Sequence, residues 1–266
     1  MKSHNHKVKP LTNKYLWQNR ELLVFLCKED YCVYLRVSCQ ATKRQRTNNK
    51  IKMTEEEIPN YNIFMMCERL NEDALSQLKS EYYFRNCRPN ELEIWKAFPF
   101  DSETVPSEYE DFMNQIINDS YGSDMKTFFS NTIFVCNKDD KPIATCSHWK
   151  AYGKFNSIHW LKTKKEYEGQ GLGRAILSEI MKSFGSDDYP IYLHTQPGSF
   201  RAIKLYADFG FKLLKGGQIG HRPNELEKCL PILSEFIPKK DFEKLEIVDT
   251  PEHFIKLVEN ETTIQF

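Results

Sequence analysis

The sequence predicts an α/β fold in which helices flank a mixed β-sheet. Three stretches predict it: a β-hairpin over residues 132–152, a strand running through a glycine-rich loop into an amphipathic helix over 157–184, and a strand–helix–strand alternation over 190–214. With 40% apolar and 13% aromatic residues in 266, the chain can bury at least one sizeable core.

Taken in order, residues 82–87 alternate as a strand, and Asn90 is placed to cap a helix running through Phe98. A second helical stretch, 107–118, carries Phe112, Ile116 and Ile117 on one side. The hairpin strands 132–137 and 143–152 are joined by the polar turn Lys138-Asp139-Asp140-Lys141-Pro142. After a turn at 153–156 comes the strand 157–163. Leu172, Ile176, Leu177, Ile180, Met181 and Phe184 then follow helical spacing. Residues 190–195 form a strand, and 199–209 a helix with Ala202, Leu205, Tyr206 and Phe209 on one stripe. Gly210 ends that helix where a cap glycine belongs, and 211–214 returns as a strand. Beyond Gly220 the pattern is mainly helical, around 225–236 and 251–258, and no internal repeat occurs. The expected body is 60–217, between a basic, poorly ordered N-terminal extension, 1–59, and a helical C-terminal extension, 218–266, packed on it.

Charge and cysteine usage exclude several classes. The chain balances overall, but residues 1–52 carry twelve Lys/Arg against three Asp/Glu. Aromatics are not interleaved with the basic run at 43–52, so nucleic-acid binding is not expected. The eight cysteines are scattered and form no C-x-x-C pair. The N-terminus lacks a signal-type apolar block, and no apolar run approaches the roughly 20 residues a membrane helix needs. A cytoplasmic protein with reduced thiols and no membrane partner is expected. Cys146 and His148 share one face of a strand, but no second pair at zinc-finger spacing accompanies them, so no metal is expected.

The sharpest local signal is Glu168-Gly169-Gln170-Gly171-Leu172-Gly173-Arg174, between a strand and a helix. Alternate glycines let backbone N–H groups turn toward one point, and the helix start adds its own amides and dipole. Together they suit a phosphate or pyrophosphate. Spacing excludes a dinucleotide fingerprint, because the sixth position from Gly171 is Ile176, and no Walker loop is present.

Gly171 and Gly173, with Ala202, Leu205, Tyr206, Gly210 and Phe211 downstream, resemble the two signatures of the GNAT superfamily of N-acetyltransferases. The resemblance spans roughly residues 82–215. It implies a largely antiparallel twisted sheet splayed between the fourth and fifth core strands, 157–163 and 190–195. It also implies acetyl-CoA as co-substrate. The loop Glu168–Arg174 would bind the CoA pyrophosphate, and Leu161, Lys162 and Thr163 would lie along the pantetheine arm, with the Leu161 N–H on the thioester carbonyl. Ser199 and Ala202 complete the cofactor set, Ser199 standing where Asn is usual and still able to cap its helix. Glu168 stands where the family carries Arg or Gln, with Lys164, Lys165 and Arg174 near enough in sequence to offset it.

Tyr206 would protonate the departing thiolate. Its bland alternative is an amphipathic tyrosine on a core stripe. The attacking amine must be neutral, so a general base helps. His159, two residues before Leu161, is the first candidate, then His194 on the neighbouring strand, then His148. Asp101, Glu103, Glu108, Glu110, Asp111, Asp119 and Asp124 border the expected acceptor side and would draw a cationic amine. The expected function is acetyl transfer to a primary amine of a small molecule or peptide, by a monomer or homodimer. The alternative is a non-catalytic acyl-CoA-binding sensor or scaffold.

Overall fold

The computed structural model describes residues 53–261, 263, 265 and 266. Most of the expected basic extension, residues 1–52, lies outside the described residues. The first strand, β1 (Ile63–Cys67), was not expected from the sequence. Its residues Ile-Phe-Met-Met-Cys are all buried, so it has no alternating face to betray it. Next come β2 (Tyr83–Asn86), α1 (Leu92–Ala97), α2 (Glu110–Tyr121) and α3 (Met125–Asn131), the last also unanticipated. The hairpin follows as β3 (Thr132–Cys136) and β4 (Pro142–Ala151), then β5 (Phe155–Thr163), α4 (Leu172–Lys182), β6 (Ile191–Thr195), α5 (Phe200–Asp208) and β7 (Phe211–Lys215). The C-terminal part adds the short ribbon β8 (Gln218–Ile219) and β9 (Arg222–Pro223), then α6 (Leu226–Phe236), α7 (Lys239–Phe242), β10 (Ile247–Asp249) and α8 (Glu252–Val258).

Two caps differ from expectation. Asn90 does not cap α1, because it lies inside a single 3-10 turn, Pro89–Glu91. Ser199 holds the N-cap position of α5, yet its side chain makes no capping hydrogen bond.

Eight strands form one sheet in the order β10-β7-β1-β6-β5-β4-β3-β2. β1 is the centre of one half, antiparallel to both β6 and β7, and β10 joins the outer edge parallel to β7. The other half is the antiparallel meander β2-β3-β4-β5. The halves meet only where β5 and β6 run parallel, and there a single pair, Ser157 with Tyr192, is in register. The mixed, largely antiparallel sheet therefore parts between 157–163 and 190–195, the two strands expected to splay.

Apolar groups cover both faces. One core gathers Ile176, Leu177, Ile180 and Met181 of α4 with Ile203 and Tyr206 of α5 and Leu233 of α6. The other gathers Trp95, Phe112, Tyr121 and Phe128 with Phe155, Phe254 and Phe266. The C-terminal residues are interleaved with both cores and extend the sheet. Gly210 shows why α5 must turn sharply into β7. It has φ +97°, and a Cβ there would stand 2.7 Å from the Arg69 carbonyl oxygen. Among the described residues, no helix is long and apolar enough to cross a membrane.

Candidate active site

The parting of β5 and β6 opens a cavity of about 510 Å³. Its floor is β5 itself, distorted by a bulge. Thr145 pairs with Lys162 and Ser147 with His159, so Trp160 and Leu161 stand opposite the single residue Cys146. Trp160 takes φ +54°, a conformation uncommon for a side chain of that bulk. A bulge breaks the ladder and re-aims the backbone. Trp160, Leu161 and Lys162 all line the cavity.

From α5 come Ala202 and Tyr206, and from its N-cap Ser199. Tyr206 is 6% exposed, and burial pushes its phenol up from the ordinary range. It therefore keeps its proton at any working pH. His159 and His194 reach the same cavity from β5 and β6. His148 does not; its ring packs edge-on to Phe184 at 5.4 Å.

Hydrogen bonding fixes both cavity imidazoles in one tautomer. Ser157 Oγ donates to the Trp149 carbonyl at 2.9 Å, so it must accept from His159 Nε2–H at 2.8 Å. His159 Nδ1 is then the acceptor, and the Tyr121 hydroxyl donates to it at 2.6 Å. Trp160 in turn hydrogen-bonds the Tyr121 oxygen, and an indole can only donate. His194 is settled by Arg222, which can only donate: its Nη1 lies 3.3 Å from His194 Nδ1. His194 Nε2–H therefore donates to Asn62 Oδ1 at 2.9 Å. Burial first, and the charge of Arg222 second, push His159 down to about 4 and His194 well below its usual range. Both rings are neutral, and both basic lone pairs are already engaged. Both histidines expected as candidate bases line this one cavity, but their surroundings do not leave either poised to take a proton near pH 7.

The glycine-rich loop lies outside the cavity lining, at the start of α4. Gly169 has φ +75° and Gly171 φ +84°, and nothing stands within 4 Å of a Cβ built on either. Gly171 is the N-cap of α4, and it supplies no side chain to cap the first amides of the helix. Gly173 packs between Leu205 and Thr163, tying α4 to α5 and β5. Gln170 is pinned by the Tyr82 hydroxyl at 2.8 Å.

Two of the three cations expected to offset Glu168, Arg174 and Lys164, have their side chains committed elsewhere. Arg174 pairs with Asp208 and donates to the Ala74 carbonyl. Lys164 is buried beside Glu103 and the Phe98 ring. The Lys165 backbone N–H binds Asp101. A residue the sequence reading missed, Arg201 on α5, feels Glu55 and, more weakly, Glu168. No local spacing announces it.

Three of the seven acids expected to border the acceptor side are likewise engaged. Asp101 pairs with Lys162 at 2.7 Å, Glu103 with Lys141 at 2.9 Å, and Asp124 caps α3 through Thr127. Of the seven acids, only Asp119 lines the cavity.

A family model described as acetyltransferase (GNAT) family matches residues 92–211. The chain carries a GNAT-family domain. A GCN5-related N-acetyltransferase from Sphaerobacter thermophilus is similar at 17% identity over 52% of this chain and 43% of that one, with a TM-score of 0.36. A GNAT-family acetyltransferase from Colwellia psychrerythraea shares 15% identity over 59% and 53%, TM-score 0.42. A putative GNAT acetyltransferase from Novosphingobium aromaticivorans shares 15% over 59% and 61%, TM-score 0.39. The matched part spans about half the length of these structures. At such scores they add nothing to what the sheet itself shows. No curated protein matches the chain. The GNAT match takes in the hairpin, β5, the glycine-rich loop, β6 and α5, but not Asn62, Arg222, Gln265 or Phe266, which the same cavity draws in from either side.

Proposed function

We propose that the GNAT domain transfers an acetyl group from acetyl-CoA to a primary amine by direct attack. The observation that carries this reading is the parting of β5 and β6 into a cavity that holds Tyr206 and the β5 bulge together. The open, left-handed glycines before α4 fit a pyrophosphate, since the space a side chain would fill is empty. Leu161, Lys162 and Thr163 would run beside the pantetheine arm, with Ser199 and Ala202 across from them.

The neutral amine attacks the thioester carbonyl, and the new C–N bond forms as the C–S bond breaks. Tyr206 gives its proton to the departing thiolate. The proton lost by the amine passes through water back to the phenolate, so the residue is restored. With His159 and His194 both engaged, the amine arrives already deprotonated, and the rate follows the free-amine fraction of the acceptor.

The test is thiol release from acetyl-CoA across a panel of primary amines. Tyr206→Phe should lower turnover about 100-fold, the lower end for a lost general acid. Unchanged turnover would remove Tyr206 from the chemistry. Two observations favour a second reading, a non-catalytic acyl-CoA-binding module: the engaged imidazoles and the carboxylate of Glu168 in the loop. Tight acetyl-CoA binding with no thiol release on any amine would establish that reading instead.

A further inference from the structure

A cavity that acetylates an amine must either remove the ammonium proton or receive an amine that has already lost it. Among the described residues, the side chains of its lining that could exchange a proton or carry a charge are Asp119, His159, Lys162, His194 and Arg222, besides the phenols of Tyr121 and Tyr206. His159 offers no open lone pair. Its Nε2–H donates to Ser157, and its Nδ1 accepts from Tyr121 of α2, whose oxygen Trp160 also binds. His194 is closed in the same way: Nδ1 accepts from Arg222 of β9, and Nε2–H donates to Asn62. The charged and titratable groups acting on these two rings are Tyr121, Arg222 and His221, with His159 acting on His194 as well.

The remaining groups are no better placed to take a proton. Both phenols are buried and keep their own. Lys162 is paired with Asp101, and a guanidinium can only donate. Asp119 stands exposed on α2, where a carboxylate in water is a weak base toward an ammonium ion. An amine that arrives protonated therefore stays protonated and unreactive, and the basicity of the acceptor decides its rate.

Magnitudes show which way that selection runs. At pH 7 about 0.04% of an alkylamine like that of lysine is neutral, against about 14% of a chain-terminal α-amine, a difference of roughly 300-fold. A less basic amine is also a weaker nucleophile. With a Brønsted slope of about 0.4–0.5, as for thiolate attack, this returns roughly 15-fold and leaves the α-amine ahead by roughly 20-fold. The apolar part of the lining, with Phe112, Ile116 and Trp160, suits an acceptor that enters uncharged.

We propose that the acceptor is a weakly basic primary amine, an α-amino amide such as begins a peptide chain, rather than an alkylamine of the lysine or polyamine kind. This rests on the reading of the cavity as an acetyl-transfer site. It reverses the expectation drawn from the acidic run at 101–124, which favoured a strongly basic, cationic amine.

The experiment follows thiol release from acetyl-CoA by the full chain from pH 6 to pH 9. Glycinamide and alaninamide are compared with propylamine. Ethylamine, 2-fluoroethylamine and 2,2-difluoroethylamine add a set of nearly equal size and falling basicity. At pH 7 glycinamide should exceed propylamine at least tenfold in kcat/KM, and the fluorinated set should improve as basicity falls. For propylamine, kcat/KM should climb about tenfold per pH unit throughout, as its neutral fraction does. Propylamine matching glycinamide at pH 7, or a propylamine profile that levels off below pH 8, would overturn the proposal, since either requires a base in the enzyme. An acetyl-CoA titration keeps the failures apart. No cofactor binding, or bound cofactor with no thiol release from any amine at any pH, counts against acetyl transfer and removes the proposal with it. Thiol release with the wrong preference counts against the proposal alone.

Discussion

The two ends of the proposed site, one for the cofactor and one for the acceptor, are built from different materials. The cofactor end is backbone: left-handed glycines, the first turn of α4 and a bulged strand. The acceptor end is side chains in closed hydrogen-bond networks, Trp160–Tyr121–His159–Ser157 on one side and Arg222–His194–Asn62 on the other. A backbone cradle tolerates changes of side chain, provided the glycines remain. A network of saturated imidazoles fixes shape and charge but gives up basicity. The difference teaches that a histidine in the cleft is not by itself a base; its lone pair must also be available.

The comparison can be broken first at the cofactor end. Gly171→Glu places a carboxylate and a strained φ where the ligand would pass, and should weaken acetyl-CoA binding at least 100-fold without unfolding the chain. A loss below threefold would mean the loop does not touch the cofactor. Tyr206→Phe should leave acetyl-CoA affinity within about twofold while lowering kcat, which separates chemistry from binding.

The acceptor end should respond less steeply. His159→Gln is expected to lower kcat/KM less than tenfold, and the wild-type profile should show no ionisation near pH 6.5. A drop of 100-fold with loss of a pKa near 6.5 would restore His159 as the base. Stability should nonetheless depend on pH. A histidine held at about 4 is neutral when folded and takes up a proton on unfolding below its ordinary pKa near 6.5. The unfolded chain then binds more protons, so stability is full above pH 6.5 and falls as pH drops toward 4. The slope is at most about 1.4 kcal/mol per pH unit for each such histidine. Urea melts at pH 7 and 5 would show this, and His159→Gln should shallow the slope. The smallest effect is expected from Arg201→Gln. Arg201 is half-exposed and paired with Glu55, so acetyl-CoA affinity should change less than threefold.

The elements of the proposed cofactor end were legible in the sequence because their signals are local. Three glycines before an apolar-periodic helix, and a tyrosine on the stripe of the next, can be read from neighbouring residues. The acceptor end was not, because Asn62, Tyr121, His159, His194 and Arg222 come from five separate places in the chain. His159 and His194 were found as residues but not as environments: only packing against Tyr121 and Arg222 reveals that their lone pairs are taken. In the fold, β1 escaped notice because a strand buried on both faces has no period of two. β10 is three residues long, and α3 follows the Gly122-Ser123-Asp124 break closely enough to read as loop.

The most direct measurement is calorimetric titration of the full chain with acetyl-CoA beside the Gly171→Glu variant. The account predicts micromolar binding by the wild type and none by the folded variant. Equal binding by both, or none by well-folded wild type across acyl chain lengths, would contradict it.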